Sequence, residues 1–458
     1  MMALETVRFP EEAGISSQGI CNYIAAREEA GLEHHAIWVM RRGKVAAKLV
    51  YAPYDDHTPH MLFSLSKSFC SAAAGFAVAE GLLRWDTRLI DVLPEKFPQN
   101  PSQWLRSVTL HHLLTMGSGL RPESDQADGP DWATAILAWD CDHEPGTHFH
   151  YNSHGTYLVS CMVQRVTGMT VRDYLIPRLF EPLGMMNRDG SAPVWDCCPA
   201  GVNVGGWGLW LSCEQLAPFG QCLLQKGVWE GRQVLPREWL DRATAWQIDN
   251  GNGDHASVHD WNQGYGYQFW MCRGDKEPGF TPRYRGDGMF SQFVIVDEKR
   301  DMVVCCVSGV GDIGKALSLI YDHLIAAADM EAADEATQAA LQRKLAALAY
   351  PWPEHDADAL PEGVYTAEGV TLTVEQGQVI LDLADERFTF GVGQVHADET
   401  FPGCCGMRAG ELKLLLRFLK GPFTLDLTCR FAEDAAELTL AGVGQENKTL
   451  RLTRRKDA

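Results

Sequence analysis

His60-Met61-Leu62-Phe63-Ser64-Leu65-Ser66-Lys67-Ser68-Phe69 leads into an alanine-rich run that continues to Glu80 and closes at Gly81. Glycine after a periodic apolar run is a helix C-cap, so the spacing predicts a helix over Phe69–Glu80 that starts near Ser64. Residues three apart at a helix start share a face, which points Lys67 back toward Ser64. The same helix start offers unpaired backbone N–H groups and a positive dipole end, both suited to negative charge developing on an attacked carbonyl oxygen. A lysine ammonium held in a dry pocket there can lose its proton near neutral pH and act as base for the serine. Ser64-Leu65-Ser66-Lys67 is the only Ser-x-x-Lys in the chain. Chance alone supplies about one such match at this length, and an N-cap serine with a solvated lysine is the plainer reading of this segment by itself.

Two further segments change that balance. Pro145-Gly146-Thr147-His148-Phe149-His150-Tyr151-Asn152-Ser153 is a loop running into a helix expected from Thr156. A tyrosine at such a junction, beside a serine and a lysine, can pass a proton to a leaving group, or it can be a buried structural tyrosine. Arg285-Gly286-Asp287-Gly288-Met289 opens the expected strand Gln292–Asp297. Its glycines would let a substrate lie along a strand edge, with a backbone N–H as an oxyanion donor; the alternative is an ordinary β-turn.

Around these segments the pattern reads β, then mostly α, then β, then α. A helix is expected over Ser17–Ala30 and strands over His35–Arg41 and Lys44–Tyr51, turning at Arg42-Gly43. Helices follow at Leu110–Thr115, Trp132–Trp139, Thr156–Val166 and Val171–Leu179. Strands return at Gly266–Cys272, Gln292–Asp297 and Met302–Ser308, and helices at about Ile313–Ala327 and Asp334–Leu348. That order suits a sheet built from both ends of the segment with a helical region inserted between. Pro351-Trp352-Pro353 and His355-Asp356-Ala357-Asp358 read as a linker over 351–360. Beyond it, seven short period-two runs between Val370 and Thr453 predict a separate all-β sandwich or barrel over 361–458, without a catalytic constellation.

Composition narrows the function. The 458 residues carry 40 basic and 60 acidic side chains, a net charge of −20, which disfavours nucleic-acid or anionic-membrane partners. No stretch approaches the roughly 18 uncharged apolar residues of a membrane span. Met1-Met2-Ala3-Leu4-Glu5-Thr6-Val7-Arg8 lacks the basic and apolar regions of a secretory signal, which predicts a cytoplasmic protein. The 14 cysteines are scattered without a Cys-x-x-Cys, as buried reduced thiols would be. His148, His150 and His154 invite a zinc reading, but position 152 is asparagine where an aspartate would be wanted, so no metal is expected. His111-His112 reads as packing and capping, and Gly205-Gly206-Trp207-Gly208 lacks the setting of a dinucleotide site. Trp207, Trp210, Tyr265 and Tyr267 are cleft or core aromatics.

Taken together, the segments around Ser64, His112–Leu120, Pro145–Ser153 and Gly288–Gln292 resemble the serine β-lactamase-related family, which holds class C β-lactamases, D-aminopeptidases, D,D-carboxypeptidases, esterases and nylon-oligomer hydrolases. The likeness covers roughly residues 10 to 330. It implies an α/β (α+β) fold of the β-lactamase/transpeptidase type, an antiparallel sheet flanked by helices with an inserted helical region, over residues 1–350. It also implies that Ser64 forms an acyl-enzyme, that Lys67 and Tyr151 share base and acid duty, and that the backbone N–H groups of Ser64 and Met289 bind the oxyanion. No cofactor is implied. Gly286, Asp287 and Gly288 would stand where β-lactamases carry Lys-Thr-Gly, and Ser153 where many members carry asparagine. Without that lysine a substrate carboxylate lacks its usual partner, unless Arg283 or Arg285 replaces it. The expected substrate is therefore a small molecule or short peptide-like ester or amide. A β-lactamase or D-peptidase, an acyltransferase and a non-catalytic penicillin-binding-like protein are the rival readings. The β domain would serve packing, homo-oligomer formation or shaping of the cleft.

Overall fold

The computed structural model describes residues 4–121, 129–251, 261–272, 283–356, 359–375, 377–441 and 448–455. Ala357 and Asp358 of the expected linker lie outside them. The chain divides into two compact units: Met1–Val50 with Asp55–Ala347, and Tyr51–Tyr54 with Leu348–Ala458.

In the first unit, helix α1 (Ser17–Glu29) precedes strands β1 (His34–Arg41) and β2 (Lys44–Val50). Both turn residues between the strands, Arg42 and Gly43, have positive φ, the geometry that follows the right-handed strand twist. Four later strands complete the sheet: β3 (Trp270–Cys272), β4 (Arg283–Gly288), β5 (Gln292–Asp297) and β6 (Met302–Ser308). The order is β2-β1-β6-β5-β4-β3, every pair antiparallel, with Ile37 opposite Cys306 and Val39 opposite Val304. Every residue of β5 and β6 is buried, so neither face of the sheet centre meets water, and these strands read as unbroken apolar runs.

Between the two sheet halves lie helices α2 (Ser66–Ala79), α3 (Leu110–Leu114), α4 (Trp132–Ala138), α5 (Ser153–Thr167) and α6 (Cys213–Leu224). Helix α6 packs on β1, β5 and β6, where a side chain at Gly220 would come within 2.6 Å of Val303. Thr109 caps α3 by accepting from the His112 N–H, while His112 Nδ1 accepts from the Thr109 N–H. Among the described residues no helix is long and apolar enough to cross a membrane.

Three local expectations change. The helix whose start is expected near Ser64 does begin there, but its first turn, Phe63–Leu65, is 3-10 and the α-helix proper runs from Ser66. Of the strand expected over Gly266–Cys272 only Trp270–Cys272 forms. Gly266–Phe269 is instead a turn, fixed by Ser68 Oγ on the Gln268 carbonyl at 2.8 Å and by Thr156 Oγ1 on Gln268 Oε1 at 2.9 Å. Arg283–Gly288 is a strand in its own right, with Gly286 opposite Val294, and the turn lies beyond it at Phe290 and Ser291, both with positive φ.

The second unit is a closed barrel of nine strands: Gly363–Ala367, Val370–Val374, Gln378–Leu383, Glu386–Val392, Gly403–Arg408, Glu411–Arg417, Thr424–Phe431, Ala435–Ala441 and Lys448–Arg454. The first pairs with the last, which removes the sheet edges. Its core is its own, built on Leu372, Leu381, Phe390, Leu414, Leu427 and Leu438. The expected linker is part of this unit. The Arg417 guanidinium lies over Tyr350 and Trp352, and the Met407 N–H donates to His355 Nδ1. All 14 cysteines are free thiols, most of them buried. Burial pushes the thiols of Cys222, Cys405 and Cys429 up to about 12.

Candidate active site

Ser64 is the middle residue of the 3-10 turn that feeds α2. The first N–H groups of a helical segment have no intrahelical acceptor, and Ser64 carries one of them. Lys67, one turn on, is 1% exposed. Its Nζ lies 3.0 Å from Ser64 Oγ, 3.0 Å from Ser153 Oγ and 2.8 Å from the Gly206 carbonyl oxygen. Three oxygens around one nitrogen fill the hydrogen-bonding capacity of a lysine head group. Burial fixes that head group, because a lysine removed from water must keep its partners.

Ser153 reaches this point because it is the first residue of α5. Asn152 caps the helix by accepting from the Gly155 N–H at 2.9 Å, and Tyr151 immediately precedes the cap. Lys67 Nζ stands 4.8 Å from the centroid of the Tyr151 ring. Tyr151 in turn stacks on Trp270, with centroids 5.3 Å apart and planes 17° from parallel. Thus Ser64, Lys67, Tyr151 and Ser153 come together from two helix starts that lie far apart in sequence.

The third segment meets the serine through its backbone. Gly286 and Gly288 alternate onto one face of β4, and that face lies against the Ser64 turn. A Cβ at Gly286 would sit 2.5 Å from Leu65 Cδ1 and 2.7 Å from Ser68 Oγ, while one at Gly288 would collide with the Leu62 carbonyl. The two glycines therefore admit the serine-bearing turn, not a substrate, against the strand. Met289 follows on the surface, 57% exposed, and the next residue, Phe290, contacts the Phe63 ring at 5.3 Å.

Arg285 and Asp287 occupy the other face of β4. Arg285 is fully buried, and its Nε donates to Asp287 Oδ2 at 2.9 Å and its Nη1 to Cys272 Sγ at 2.8 Å. Burial pushes the Asp287 carboxyl above the usual carboxylate range, against the opposing pull of the Arg285 charge. Arg283 bonds to Asp297 at 2.8 Å, an aspartate that also holds Arg300. Both arginines that could have answered for the missing lysine are bound to carboxylates of the protein itself.

Gly206 was not singled out by sequence reasoning as a partner of Lys67. Its contribution is a backbone carbonyl, and the only sequence sign was the glycine-rich run, set aside as a failed dinucleotide motif. The run's true role is close packing: a Cβ at Gly206 would come within 2.9 Å of the Ser153 carbonyl. Trp270 was likewise missed. Of the aromatics, Tyr265 packs edge-on to Tyr151 and Trp270, whereas buried Tyr267 bonds to His111 Nδ1 at 2.8 Å. The histidine run disperses, with His148 against His143 and His154 against Trp139, and among the described residues no cluster could hold a metal ion.

The family model described as Beta-lactamase matches residues 23–310. The chain belongs to the beta-lactamase family. Membership makes it a serine hydrolase of the amidase or esterase type. The 6-aminohexanoate-dimer hydrolase of Paenarthrobacter ureafaciens is 24% identical over 298 residues, which are 60% of this chain and 73% of that protein. Penicillin-binding protein 4 of Amycolatopsis lactamdurans is 28% identical over 253 residues, 44% of this chain and 64% of that protein. The octameric penicillin-binding protein homologue from Pyrococcus abyssi superposes with a TM-score of 0.53 at 16% identity, covering 95% of this chain and 99% of that one. At that identity the likeness speaks to fold alone.

Proposed function

We propose that Ser64 attacks the carbonyl carbon of a small neutral ester or amide and carries the acyl group until water removes it. The observation that supports this best is the buried Lys67 head group, 3.0 Å from Ser64 Oγ and held by Ser153 and Gly206. As an amine, its two protons serve Ser153 Oγ and the Gly206 carbonyl, and its lone pair faces the Ser64 hydroxyl. Attack forms the Oγ–C bond, the hydroxyl proton moves to the Lys67–Tyr151 pair, and the carbonyl oxygen becomes the oxyanion, bound by the N–H groups of Ser64 and Met289. Collapse breaks the bond to the leaving group, which takes its proton from the same pair, with Tyr151 as the donor. Hydrolysis of the acyl-enzyme repeats the sequence with water.

The substrate is neutral at its third-motif end, because Arg285 and Arg283 answer to Asp287 and Asp297. Residues 1–350 form the hydrolase domain of this reading and 361–458 an accessory domain that supports packing, self-association or the shape of the cleft. Free cysteines throughout the chain suit a cytoplasmic enzyme.

The test is a panel of p-nitrophenyl esters and amino-acid amides, with a fluorescent phosphonate that labels only an activated serine. Ser64→Ala is expected to lose at least about a thousandfold in kcat/KM and all labelling, while melting like the parent. Turnover within tenfold of the parent would remove Ser64 from the reaction. A parent protein that neither labels nor turns over would favour a non-catalytic binding protein.

A further inference from the structure

The two charged residues at the third motif face away from Ser64, and what they face is the support of Tyr151. Strand β4 alternates its side chains, Gly286 and Gly288 to the serine turn, Arg285 and Asp287 to the opposite side. On that side Arg285 is the direct cross-strand partner of Trp270, and Asp287 lies one diagonal step away. The side chains of Trp261 and Trp270 lie close enough to the Asp287 carboxyl to favour its charged form, and the Arg285 guanidinium lies 5.0 Å from the Trp261 ring centroid. Trp270 is 3% exposed. Its one face carries Tyr151, stacked at 5.3 Å, while Tyr265 and Phe149 meet it edge-on at 4.8 and 5.9 Å.

A stacked phenol can slide and rotate in its own plane unless the ring beneath it is fixed. Here the ring lies beside a carboxyl bonded at 2.9 Å to a buried guanidinium, and that guanidinium belongs to the indole's direct cross-strand partner, so the ring is held from beneath. A buried ion pair adds little net stability over apolar packing, so its presence beneath the stack calls for another role, and orientation is one such role.

We propose that Trp270, anchored by the Arg285–Asp287 pair, is a positioning residue that aims the Tyr151 hydroxyl at the leaving group. The proposal rests on the reading of Tyr151 as the proton donor to that group. It gives the Arg-Gly-Asp-Gly sequence a task different from recognition of a substrate carboxylate.

The decisive property is leaving-group dependence. p-Nitrophenolate departs without a proton, whereas an alkoxide or an amine needs one. Trp270→Phe keeps a ring beneath Tyr151 but removes the indole N–H, and Asp287→Asn weakens the anchor from the other end. Each full-length variant is assayed for kcat and KM on a p-nitrophenyl ester and on the matching alkyl ester, in the parent and in a Tyr151→Phe background. In the parent background kcat for the alkyl ester is expected to fall at least tenfold, that for the p-nitrophenyl ester less than threefold, and KM less than twofold. In the Tyr151→Phe background the same changes are expected to add less than twofold, because the group they aim is gone. Equal losses on both esters, or the same added loss without Tyr151, would reduce the cluster to general packing and overturn the proposal. So would alkyl-ester turnover in Trp270→Phe within twofold of the parent, whether or not Asp287→Asn folds. The reading beneath it fails separately, if Tyr151→Phe alone spares alkyl-ester turnover.

Discussion

Arg283 and Arg285 are the residues on which substrate charge turns. Each sits beside the third motif, and each is bonded to an aspartate, Arg283 to Asp297 at 2.8 Å and Arg285 to Asp287 at 2.9 Å. A β-lactam brings a carboxylate that must leave water, and an unpaired buried anion costs several kcal/mol. Breaking the Arg285–Asp287 pair to meet it would strand Asp287, and moving Arg283 would give up its bond to Asp297, which Arg300 also holds. Short acyl esters are therefore expected to exceed nitrocefin in kcat/KM by about tenfold to a hundredfold, or roughly 1.4–2.8 kcal/mol. Equal values in a side-by-side assay would show that a cation does reach the cleft. At this scale the sequence was legible where spacing dictates geometry: Ser64 and Lys67 share a helix face, and Tyr151 and Ser153 bracket a cap. It was silent where a partner is a backbone atom, as with the Gly206 carbonyl, or where pairing depends on strand register, as with Trp270 and Arg285.

Strand β4 shows how an element can carry the site without a side chain in it. Gly288 leaves room for the Leu62 carbonyl just ahead of Ser64, and no side chain fits there. Backbone cannot swing aside as a flexible side chain can, so Gly288→Ala should push β4 and the serine turn apart. A drop in Tm of several degrees together with loss of phosphonate labelling is the expected result; an unchanged Tm would mean that the turn yields freely. Strand β1 carries a second liability. His34 is held at about 3 by burial and then by Arg27 and His35, and His60, 2.8 Å from His35, is held at about 3 by burial and then by His35. The unfolded chain binds these protons near pH 6.5, the folded one only near 3, so stability should fall as pH drops through that window, by up to about 1.4 kcal/mol per unit for each histidine. Melting curves from pH 7 to 4 check this, and a flat Tm would contradict it. Among elements, long alternating or apolar runs such as Met302–Ser308 and Glu411–Arg417 were legible. Gly403–Arg408 was not: two glycines and two cysteines give no β signal, although its neighbours in the barrel demand those small residues.

For the whole molecule, two cores predict two unfolding events. The larger unit and the barrel each bury their own apolar cluster, and enthalpy scales with unit size. Calorimetry is expected to give two endotherms, with phosphonate bound to Ser64 raising only the one of larger enthalpy. A single endotherm shifting as a whole would mean that the units melt as one. The change of periodicity near Pro351 lies close to Leu348, where the longer segment of the second unit begins. The assignment of Tyr51–Tyr54 to the second unit was not legible, since four residues carry no pattern.

The pairing of β1 with β6 has a consequence for how the chain is made. On the ribosome the hairpin His34–Val50 emerges on the order of 250 residues before Met302–Ser308, its partner at the sheet centre. At ~5–20 residues per second that interval lasts some tens of seconds. Throughout it the apolar run Ile37–Met40 lacks its native partner on the edge that Met302–Ser308 will cover. Long-range closure of this kind is slow and leaves the nascent chain open to aggregation. Whatever shields that edge during elongation acts before Ser64 has a pocket to stand in.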